Sequence, residues 1–312
     1  MQKMVLLQEQ ESSMQLYNKL FFSVFLISVS YSSISQELYV STEPASNMAA
    51  GSIGFRLNSR LYKMNHDSNF SSKRFEPEIM VGVGKKLMLH VAVSASDMFQ
   101  GKIKFEGGSL YGKYRFYSVD DVHEHFRMAG YARVSVSNDP QVFEKLHKHY
   151  LPDGNGGFIV HDEIVFHQSN DIDLEGNSSG MGVGMVLTKL KNKLAVSGSA
   201  GYIKRFNNIG HKILAYQPVN AINYTASAGY LLFPREYTSY KQTNFNLYCE
   251  FLGSSFLDQK QYFLDVAPAV QFIINSIARI DMLYRTRLKG NVKRMSDSYF
   301  LLRLEYNLLN VF

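Results

Sequence analysis

Residues 299–312 of the chain read YFLLRLEYNLLNVF. Apolar residues occupy every second position from 300 to 308, with polar residues such as Arg303 and Glu305 between them. A period of two places successive side chains on opposite faces of a β-strand. The stretch therefore predicts a strand with one apolar and one polar face, which closes on the aromatic residue Phe312.

The same alternation recurs along the rest of the chain. It is clear in six further segments, at 53–61, 76–83, 87–94, 126–136, 244–251 and 278–285. It is looser in five more, at 109–117, 179–190, 194–204, 221–233 and 262–273. The composition also suits strands, because the chain has 20 Tyr and 22 Phe but only 7 Pro. Together with the C-terminal stretch, these segments predict about twelve strands.

The predicted connections differ in length according to the end of the strands at which they lie. Short turns are predicted at 84–85, 191–192 and 275–276, with intermediate ones near 118–123 and 234–241. Longer polar loops fall between them, near 63–73, 97–108, 137–177, 206–220, 253–261 and 289–297. Short turns at one end and long loops at the other are typical of outer-membrane barrels. We therefore predict an all-β, transmembrane, antiparallel up-and-down β-barrel over residues 36–312, with periplasmic termini and a long extracellular loop at 137–177.

The first 35 residues have the order of charged, apolar and small residues that characterises a secretory signal peptide. Lys19 precedes the uncharged, mostly apolar run 20–31, and Ser33-Ile34-Ser35 offers the small residues that signal peptidase requires. This run is too short to cross a bilayer comfortably, since a helical span needs about 20 residues. We predict a signal peptide that is cleaved after this tripeptide, with Met14 as an alternative translation start and an uncleaved anchor helix as the alternative structure.

Charged residues lie on the polar face of the predicted strands. In a closed barrel that face lines the lumen, which predicts eleven lumen-facing residues: Arg56, Arg60, Glu76, Glu78, Glu250, Asp265, Arg279, Asp281, Arg285, Arg303 and Glu305. Opposite charges on neighbouring strands would pair across the sheet, and in a wide pore such residues tune ion selectivity. A barrel of about twelve strands lies between filled small barrels and open porins, and loop 137–177 could fold inward to narrow it. A soluble exported β-sandwich would show the same alternation, with these charges in bulk water.

The C-terminal stretch resembles the terminal strand that the barrel-assembly machinery of the outer membrane recognises, with Tyr306 and Phe312 as its aromatic signal. Residues 36–312 as a whole resemble outer-membrane β-barrels of the Bacteroidota type, and more loosely barrel families described as transport or aromatic-degradation channels. The resemblance rests on the strand pattern. It implies an outer-membrane location, contact with outer-membrane lipid and with the assembly machinery, and passage of a small solute that it does not name.

Two functions follow from this interpretation. The first is a narrow channel or transporter-like barrel for a small solute. The alternative is a closed structural or adhesion barrel that presents loop 137–177 to a surface partner.

Other functions find no support in the sequence. The formal charge of +6 comes from scattered basic residues rather than from a Lys/Arg block, so we predict no nucleic-acid partner. Cys249 is the only cysteine, which excludes an internal disulfide. The chain has no HExxH motif, and only His90 or His125 beside a serine would offer a general base. We predict that the protein is not an enzyme and uses no cofactor.

The long loop carries four histidines: His147, His149, His161 and His167. His147 and His149 share one face of an extended segment, an arrangement that suits a divalent transition metal. Solvated loop histidines are the alternative, because no cysteine and no HxxxH spacing supports a closed site. The run 171–176 begins like a calcium-binding loop, but Gly182 stands where the bidentate acid belongs.

Overall fold

The computed structural model describes residues 41–65, 71–99, 101–121, 124–152, 158–236 and 241–312. Its barrel strands are β1 (Ser52–Met64), β2 (Ser71–Gly82), β3 (Leu87–Ser96), β4 (Lys104–Asp120), β5 (Glu124–Ser137), β8 (Gly180–Lys191), β9 (Leu194–Arg205), β10 (Asn220–Phe233), β11 (Asn244–Phe256), β12 (Gln261–Ile274), β13 (Ala278–Gly290) and β14 (Ser296–Leu308). These twelve strands form one closed antiparallel barrel, which confirms the predicted fold in place of a two-sheet sandwich. In the described part of the chain, no helix has the length and apolarity to cross a membrane. The predicted signal peptide lies outside the described residues.

Nearly every barrel strand pairs with the next strand along the chain. The barrel closes where β14 pairs with β1, with Tyr306 opposite Phe55. The exception is β5, which pairs directly with β8 because β6 (Val142–Pro152) and β7 (Phe158–Gln168) form a separate two-stranded sheet. Segment 137–177 was predicted as one loop, and that is wrong for its middle: the hairpin satisfies its own backbone hydrogen bonds away from the barrel wall.

The connections between the strands lie at two ends of the barrel, the terminus end and the loop end. At the terminus end, where β1 begins and β14 ends, lie connections 83–86, 121–123, 192–193, 234–243 and 275–277. At the opposite, loop end lie 65–70, 97–103, 138–179, 206–219, 257–260 and 291–295. The predicted sorting by length fails at 257–260, which is shorter than 234–243 at the other end. The polar residues Ser254 and Ser255 were predicted to lie in a loop near 253–261, but their backbones still pair with β12 at the rim of the sheet. The connection is therefore shorter than predicted.

The two faces of the barrel wall differ in character. The outer face exposes large apolar side chains on every barrel strand, such as Ile79 at 49%, Val91 at 56% and Leu304 at 43%. The inner face buries charged and polar side chains, among them Arg56, Glu250 and other residues discussed below. A continuous apolar exterior of this kind is unusual for a protein in water and suits a lipid environment.

Candidate functional site in the barrel interior

Four charged residues form a continuous row across the interior of β2, β1, β14 and β13. In the register of these strands Glu78 lies opposite Arg56, Arg56 opposite Glu305, and Glu305 opposite Arg279. Nε of Arg56 donates to Glu305 at 2.9 Å, and Nη1 of Arg56 lies 3.2 Å from Glu78. Nη1 of Arg279 lies 4.0 Å from the same Glu305 oxygen. The alternating signs neutralise one another, so this row fills the interior with ion pairs.

The next interior row, nearer the loop end, pairs differently. Arg303 lies opposite Asn58 on one side and Asp281 on the other. Nε of Arg303 donates to Oδ1 of Asn58 at 2.7 Å, whereas Asp281 pairs at 2.6 Å with Arg279 of its own strand. Asp281 also accepts a hydrogen bond from Gln271 at 2.7 Å. The expected cross-strand pair is therefore absent between Arg303 and Asp281, because other donors use the carboxylate.

A third cluster gathers two arginines around Asp265, whose side chain is fully buried. Nε of Arg285 donates to Asp265 at 2.7 Å, and Arg294 forms a bidentate pair with the same carboxylate at 2.7 and 2.9 Å. The Arg294 guanidinium also lies 4.6 Å from the ring centroid of Phe263. Arg294 belongs to connection 291–295, so the connection is tied into the barrel interior.

Residues 41–50, the N-terminal segment, lie inside the barrel. Glu43 reaches Nη1 of Arg56 and Nζ of Lys113, both at 3.2 Å, and Nζ of Lys113 also donates to the carbonyl oxygen of Pro44 at 2.8 Å. Burial by itself would raise the pKa of Glu43, but Lys113 and Arg56 hold that pKa well below its ordinary range. Glu43 is therefore a carboxylate that binds two cations of the barrel wall.

The same segment contacts the opposite wall of the barrel. Glu250 of β11 accepts hydrogen bonds from the backbone N–H groups of Ser41 at 3.1 Å and Thr42 at 2.6 Å. The N–H of Ala45 donates to Oγ1 of Thr188 in β8 at 2.9 Å. These bonds cross the lumen from β1 to β8 and β11, so the segment obstructs the terminus half of the barrel.

A second segment, residues 169–178, enters from the loop end and is called the inward strap. Glu175 pairs with Arg60 at 2.6 Å and with Arg133 at 2.9 Å. Asp173 lies 3.2 Å from Nη1 of Arg74. Part of the segment predicted as an extracellular loop is thus inside the barrel, held to β1, β2 and β5 by charge.

Apolar packing and close approach complete the docking of the strap. Ile172 and Leu174 belong to a buried cluster with Ile203, Phe256 and Phe263, among others. A β-carbon at position 176 would lie within 3 Å of the guanidinium of Arg74, so Gly176 lets the strap lie against this side chain without displacing it.

The N-terminal segment and the inward strap meet around one cavity of about 280 Å³. Ser41, Thr42 and Glu43 line it from one side, and residues 171–175 line it from the other. Its walls carry Arg56, Asn58, Arg60, Glu76, Glu78, His90, Arg133, Asp265, Arg285, Arg294 and Arg303, with aromatic residues such as Tyr62, Tyr131 and Tyr299. The cavity is the candidate functional site.

The structure places every predicted lumen residue on the interior side of the wall. Ten of the eleven are buried: Arg56, Arg60, Glu76, Glu78, Glu250, Asp265, Arg279, Asp281, Arg303 and Glu305. Arg285 is half-buried and pairs with Asp265. Glu250, Arg279, Asp281 and Glu305 hold the wall and the N-terminal segment together and do not border the cavity.

Sequence reasoning missed other charged residues of the interior: Glu43, Arg74, Glu106, Lys113, Arg127, Arg133, Glu175 and Arg294. The strand parity could have found some of them, since Arg74 stands two residues before Glu76. Glu43, Glu175 and Arg294 carry no such signal, because they lie in connections.

The two histidines considered as general bases are held by carboxylates. Nδ1 of His90 lies 2.5 Å from Glu78, and Nδ1 of His125 lies 2.8 Å from Asp120. Neither contact is to a serine, and the geometry therefore offers no hydrogen-bonded pair of nucleophile and base at these positions.

The four loop histidines lie in the hairpin of β6 and β7, and their side chains lie outside the described residues. The backbone register places His149 opposite His161, and His147 opposite Glu163. Cross-strand partners share one face of a sheet, so positions 147, 149, 161 and 163 belong to one face of the hairpin. The metal interpretation stays a prediction.

That prediction has a direct test. The metal interpretation predicts that the protein binds one Zn²⁺ or Ni²⁺ ion and that the double variant His149→Ala/His161→Ala loses at least about tenfold in affinity, since imidazole is a common ligand of both metals; solvated histidines predict no binding. Calorimetric titration with the metal measures this, and His125→Ala, at the terminus end, is the matched control. Equal binding by all three proteins would contradict the metal site.

Docking of the inward strap should depend on pH. Burial would raise the pKa of Glu175, but Arg133 and Arg60 lower that pKa to about 2. Because the folded-state pKa lies below the ordinary value of 4.5, the contribution to docking is complete above pH 4.5. It is lost progressively as the pH falls towards about 2. Asp171 acts in the opposite direction, because burial raises its pKa and protonation favours its buried state.

We therefore expect the amide hydrogens of residues 170–178 to remain protected between pH 7 and 5 and to exchange faster below pH 4.5, after correction for intrinsic rates. Hydrogen exchange read by mass spectrometry measures this. Glu175→Gln removes this carboxylate, so protection of the variant should be lower at pH 7 and should fall less in acid than that of the unaltered chain. Unchanged protection in Glu175→Gln would contradict the role of Glu175.

Comparison with known proteins adds to the geometry. An outer-membrane channel from Pseudomonas putida F1 is 9% identical over 86% of this chain and 100% of that chain, with a TM-score of 0.53. The KdgM porin is 10% identical over 82% of this chain and 98% of that chain, with a TM-score of 0.41. No family model and no curated protein matches the chain. At this level of identity the likeness concerns the fold: the chain has the barrel architecture of an outer-membrane channel.

Proposed function

We propose that the protein is an outer-membrane channel that its own N-terminal segment and inward strap close at rest, and that passes a small solute when they move. The supporting observation is that both segments line one cavity in the lumen. A barrel with a purely structural role could fill its interior with wall side chains alone, as small barrels do. Here two segments that are not wall strands, residues 41–50 and 169–178, lie in the lumen and complete its closure.

The contacts of the N-terminal segment favour reversible closure. Its bonds to Glu250, Thr188 and Lys113 are polar, and its buried apolar side chains are small, those of Pro44 and Ala45. Exchanging such bonds for bonds to water costs about 0.5–1.5 kcal/mol for a neutral bond such as that to Thr188, and about 1.5–3 kcal/mol for a bond to a charged group such as Glu250 or Lys113. The segment can therefore leave the lumen without exposing a hydrophobic core.

The proposal includes the envelope biology that the sequence predicts: export by residues 1–35, barrels of the Bacteroidota type as relatives, and outer-membrane lipid around the wall. Tyr306 faces outward at 48% exposure and Phe312 is 69% exposed, so both are accessible for recognition by the barrel-assembly machinery. The hairpin of β6 and β7 lies at the loop end, which the proposal places outside the cell.

The test begins with heat-modifiability. The full chain is expressed in a Gram-negative host, and outer membranes are analysed on gels with and without boiling. We expect an unboiled band that migrates faster in the outer-membrane fraction, followed by rare conductance events in planar bilayers. A single band in the soluble periplasmic fraction would overturn the proposal.

The hairpin favours a second candidate, a closed adhesion barrel. Its two eleven-residue strands form a sheet apart from the wall, which is an arrangement suited to presentation. Under this alternative, deletion of residues 142–168 abolishes binding to a surface partner, and no variant that disturbs the N-terminal segment conducts ions.

A further inference from the structure

We infer that residues 49–51 are the hinge of the N-terminal segment, and that Gly82 of β2 is the positioning residue that seats this hinge when the channel is closed. The inference deepens the proposed channel function and rests on it for the movement of the segment. It names the point about which the segment turns and the wall residue that holds the closed orientation.

The hinge is bound to the barrel wall by backbone hydrogen bonds. The N–H of Gly51 donates to the carbonyl oxygen of Gly82 at 2.8 Å, and the carbonyl oxygen of Gly51 accepts from the N–H of Val311 at 2.7 Å. Gly51 has a φ of 70°, in the left-handed region that favours glycine. The chain therefore turns at Gly51 from the lumen into β1 and is held there on both sides.

The preceding residues are attached to the wall in a different way. The N–H groups of Ser41, Thr42 and Ala45 donate to wall side chains, and Glu43 forms ion pairs with wall side chains. Such contacts can be released without breaking the strand pairing of the barrel. Hinges are commonly a few residues at the end of an element. The change in attachment before Gly51 therefore locates the hinge directly ahead of β1.

Gly82 leaves the space that the hinge occupies. It is the last residue of β2 and is buried, on the inward face that also carries Glu78 and Met80. A β-carbon at position 82 would overlap the backbone carbonyl oxygen of Ala49. Because that oxygen belongs to the backbone, it cannot move aside as the end of a long side chain can. The carbonyl of Ala49 is thus seated where any other residue would place its side chain.

Backbone conformation does not account for a glycine at position 82. Gly82 lies outside the set of positive-φ glycines, which includes Gly51. A glycine inside a strand is unfavourable, because it loses more conformational entropy and packs no side chain. It often marks the close approach of another backbone, which here is the backbone of Ala49.

Ser52 provides the second contact of the seat. Its Oγ donates to the carbonyl oxygen of Ala49. Ser52 is fully buried and lies opposite Gly82 in the register of β1 and β2. The carbonyl of Ala49 therefore lies between a hydroxyl that binds it and a glycine that leaves room for it. These two contacts fix the orientation in which the segment enters the lumen.

The neighbouring wall offers a matched control. Gly54 is buried on the inward face of β1, opposite Met80 of β2. A β-carbon at position 54 would lie 2.5 Å from Oδ1 of Asn307, 2.6 Å from Cε of Met80 and 3.1 Å from Cε of Met48. All three are end atoms of flexible side chains. Side-chain movement should therefore absorb Gly54→Ala, whereas Gly82→Ala must displace the backbone of the hinge.

The experiment combines conductance in planar bilayers with hydrogen exchange read by mass spectrometry on the full chain. We expect Gly82→Ala to increase the open time about tenfold, because the added methyl group overpacks the closed state, and the amides of residues 41–48 to exchange faster. Gly54→Ala should match the unaltered chain in both measurements. Ser52→Ala removes one hydrogen bond without adding volume, so its shift should be smaller and in the same direction as that of Gly82→Ala. Heat-modifiability checks that each variant is folded.

Combination with the deletion of residues 41–49 separates seating of the hinge from damage to the wall. The deleted chain lacks Ala49, so Gly82→Ala should leave its conductance unchanged, as expected for two changes that act through one contact. An equal increase in the full and the deleted chains would overturn the inference, and so would equal effects of Gly54→Ala and Gly82→Ala. If Gly82→Ala does not fold, unchanged exchange of residues 41–48 in Ser52→Ala has the same consequence.

Failure of the proposed channel gives a different pattern. If the deletion opens the channel and Gly82→Ala changes neither conductance nor exchange, the channel stands and the seat is excluded. If no variant conducts, but residues 41–48 exchange faster in Gly82→Ala and not in Gly54→Ala, the seat stands and the channel function is excluded.

Discussion

Deletion of residues 41–49 should convert a barrel that rarely conducts into one with frequent, long-lived open steps in planar bilayers. The segment crosses the lumen, where Glu43 binds Lys113 and Glu250 accepts two backbone N–H groups. Its removal leaves charged wall residues facing an opened, water-filled lumen, where they are hydrated. The barrel wall loses none of its own strand pairs.

Two controls separate opening from damage. The deleted chain must still show the faster unboiled band on gels, because a barrel that failed to close would also leak. Glu124→Gln, at the terminus turn of β5, is a matched control that removes a carboxylate paired with Lys189 outside the lumen contacts. Conductance that is unchanged in a heat-modifiable deletion would show that the N-terminal segment does not close the channel.

Substitution of Asp265 by alanine should be among the most destabilising single changes in the protein. It leaves the guanidiniums of Arg285 and Arg294 without their shared carboxylate beneath the loop end. Removing one partner of a buried pair costs about 3–5 kcal/mol. Urea titration of the barrel in lipid vesicles, followed by gel mobility, measures the free energy of unfolding.

Asp258→Ala is the comparison for that experiment. Asp258 accepts hydrogen bonds from the N–H groups of Val219 and Asn220 at 2.8 and 2.6 Å, but it does so at the exposed loop end. Water can replace those bonds, so Asp258→Ala should lower the free energy of unfolding by much less than Asp265→Ala does. Equal losses in the two variants would show that the Asp265 cluster contributes no more than a surface turn.

The barrel wall could be predicted from the sequence because each strand shows its own alternation of apolar and polar residues. An alternation such as that of 300–308 has one physical solution in a closed sheet, with apolar residues outside and Arg303 and Glu305 inside. The loop-length argument was weaker, because Ser254 and Ser255 look like loop residues while their backbones remain paired.

The candidate site was largely hidden because its decisive residues lie outside the strands. Glu43 lies in a polar run without periodicity. Nothing in that run indicates that its carboxylate pairs with Arg56 and Lys113 of the barrel wall. The strap residue Glu175 reaches Arg60 over a long separation in the chain. The resemblance of 171–176 to a calcium loop pointed to the right segment with the wrong chemistry, because its carboxylates bind arginines.

The N-terminal segment also has a consequence for biogenesis. Thr42 bonds to a residue 208 positions away, and Ala45 bonds to one 143 positions away, on strands that meet β1 only by way of the curled sheet. Contacts so distant in sequence form late, so we expect this segment to dock only after the sheet has brought β1, β8 and β11 together. The wall then closes first, and the segment is the last part of the chain to take its place.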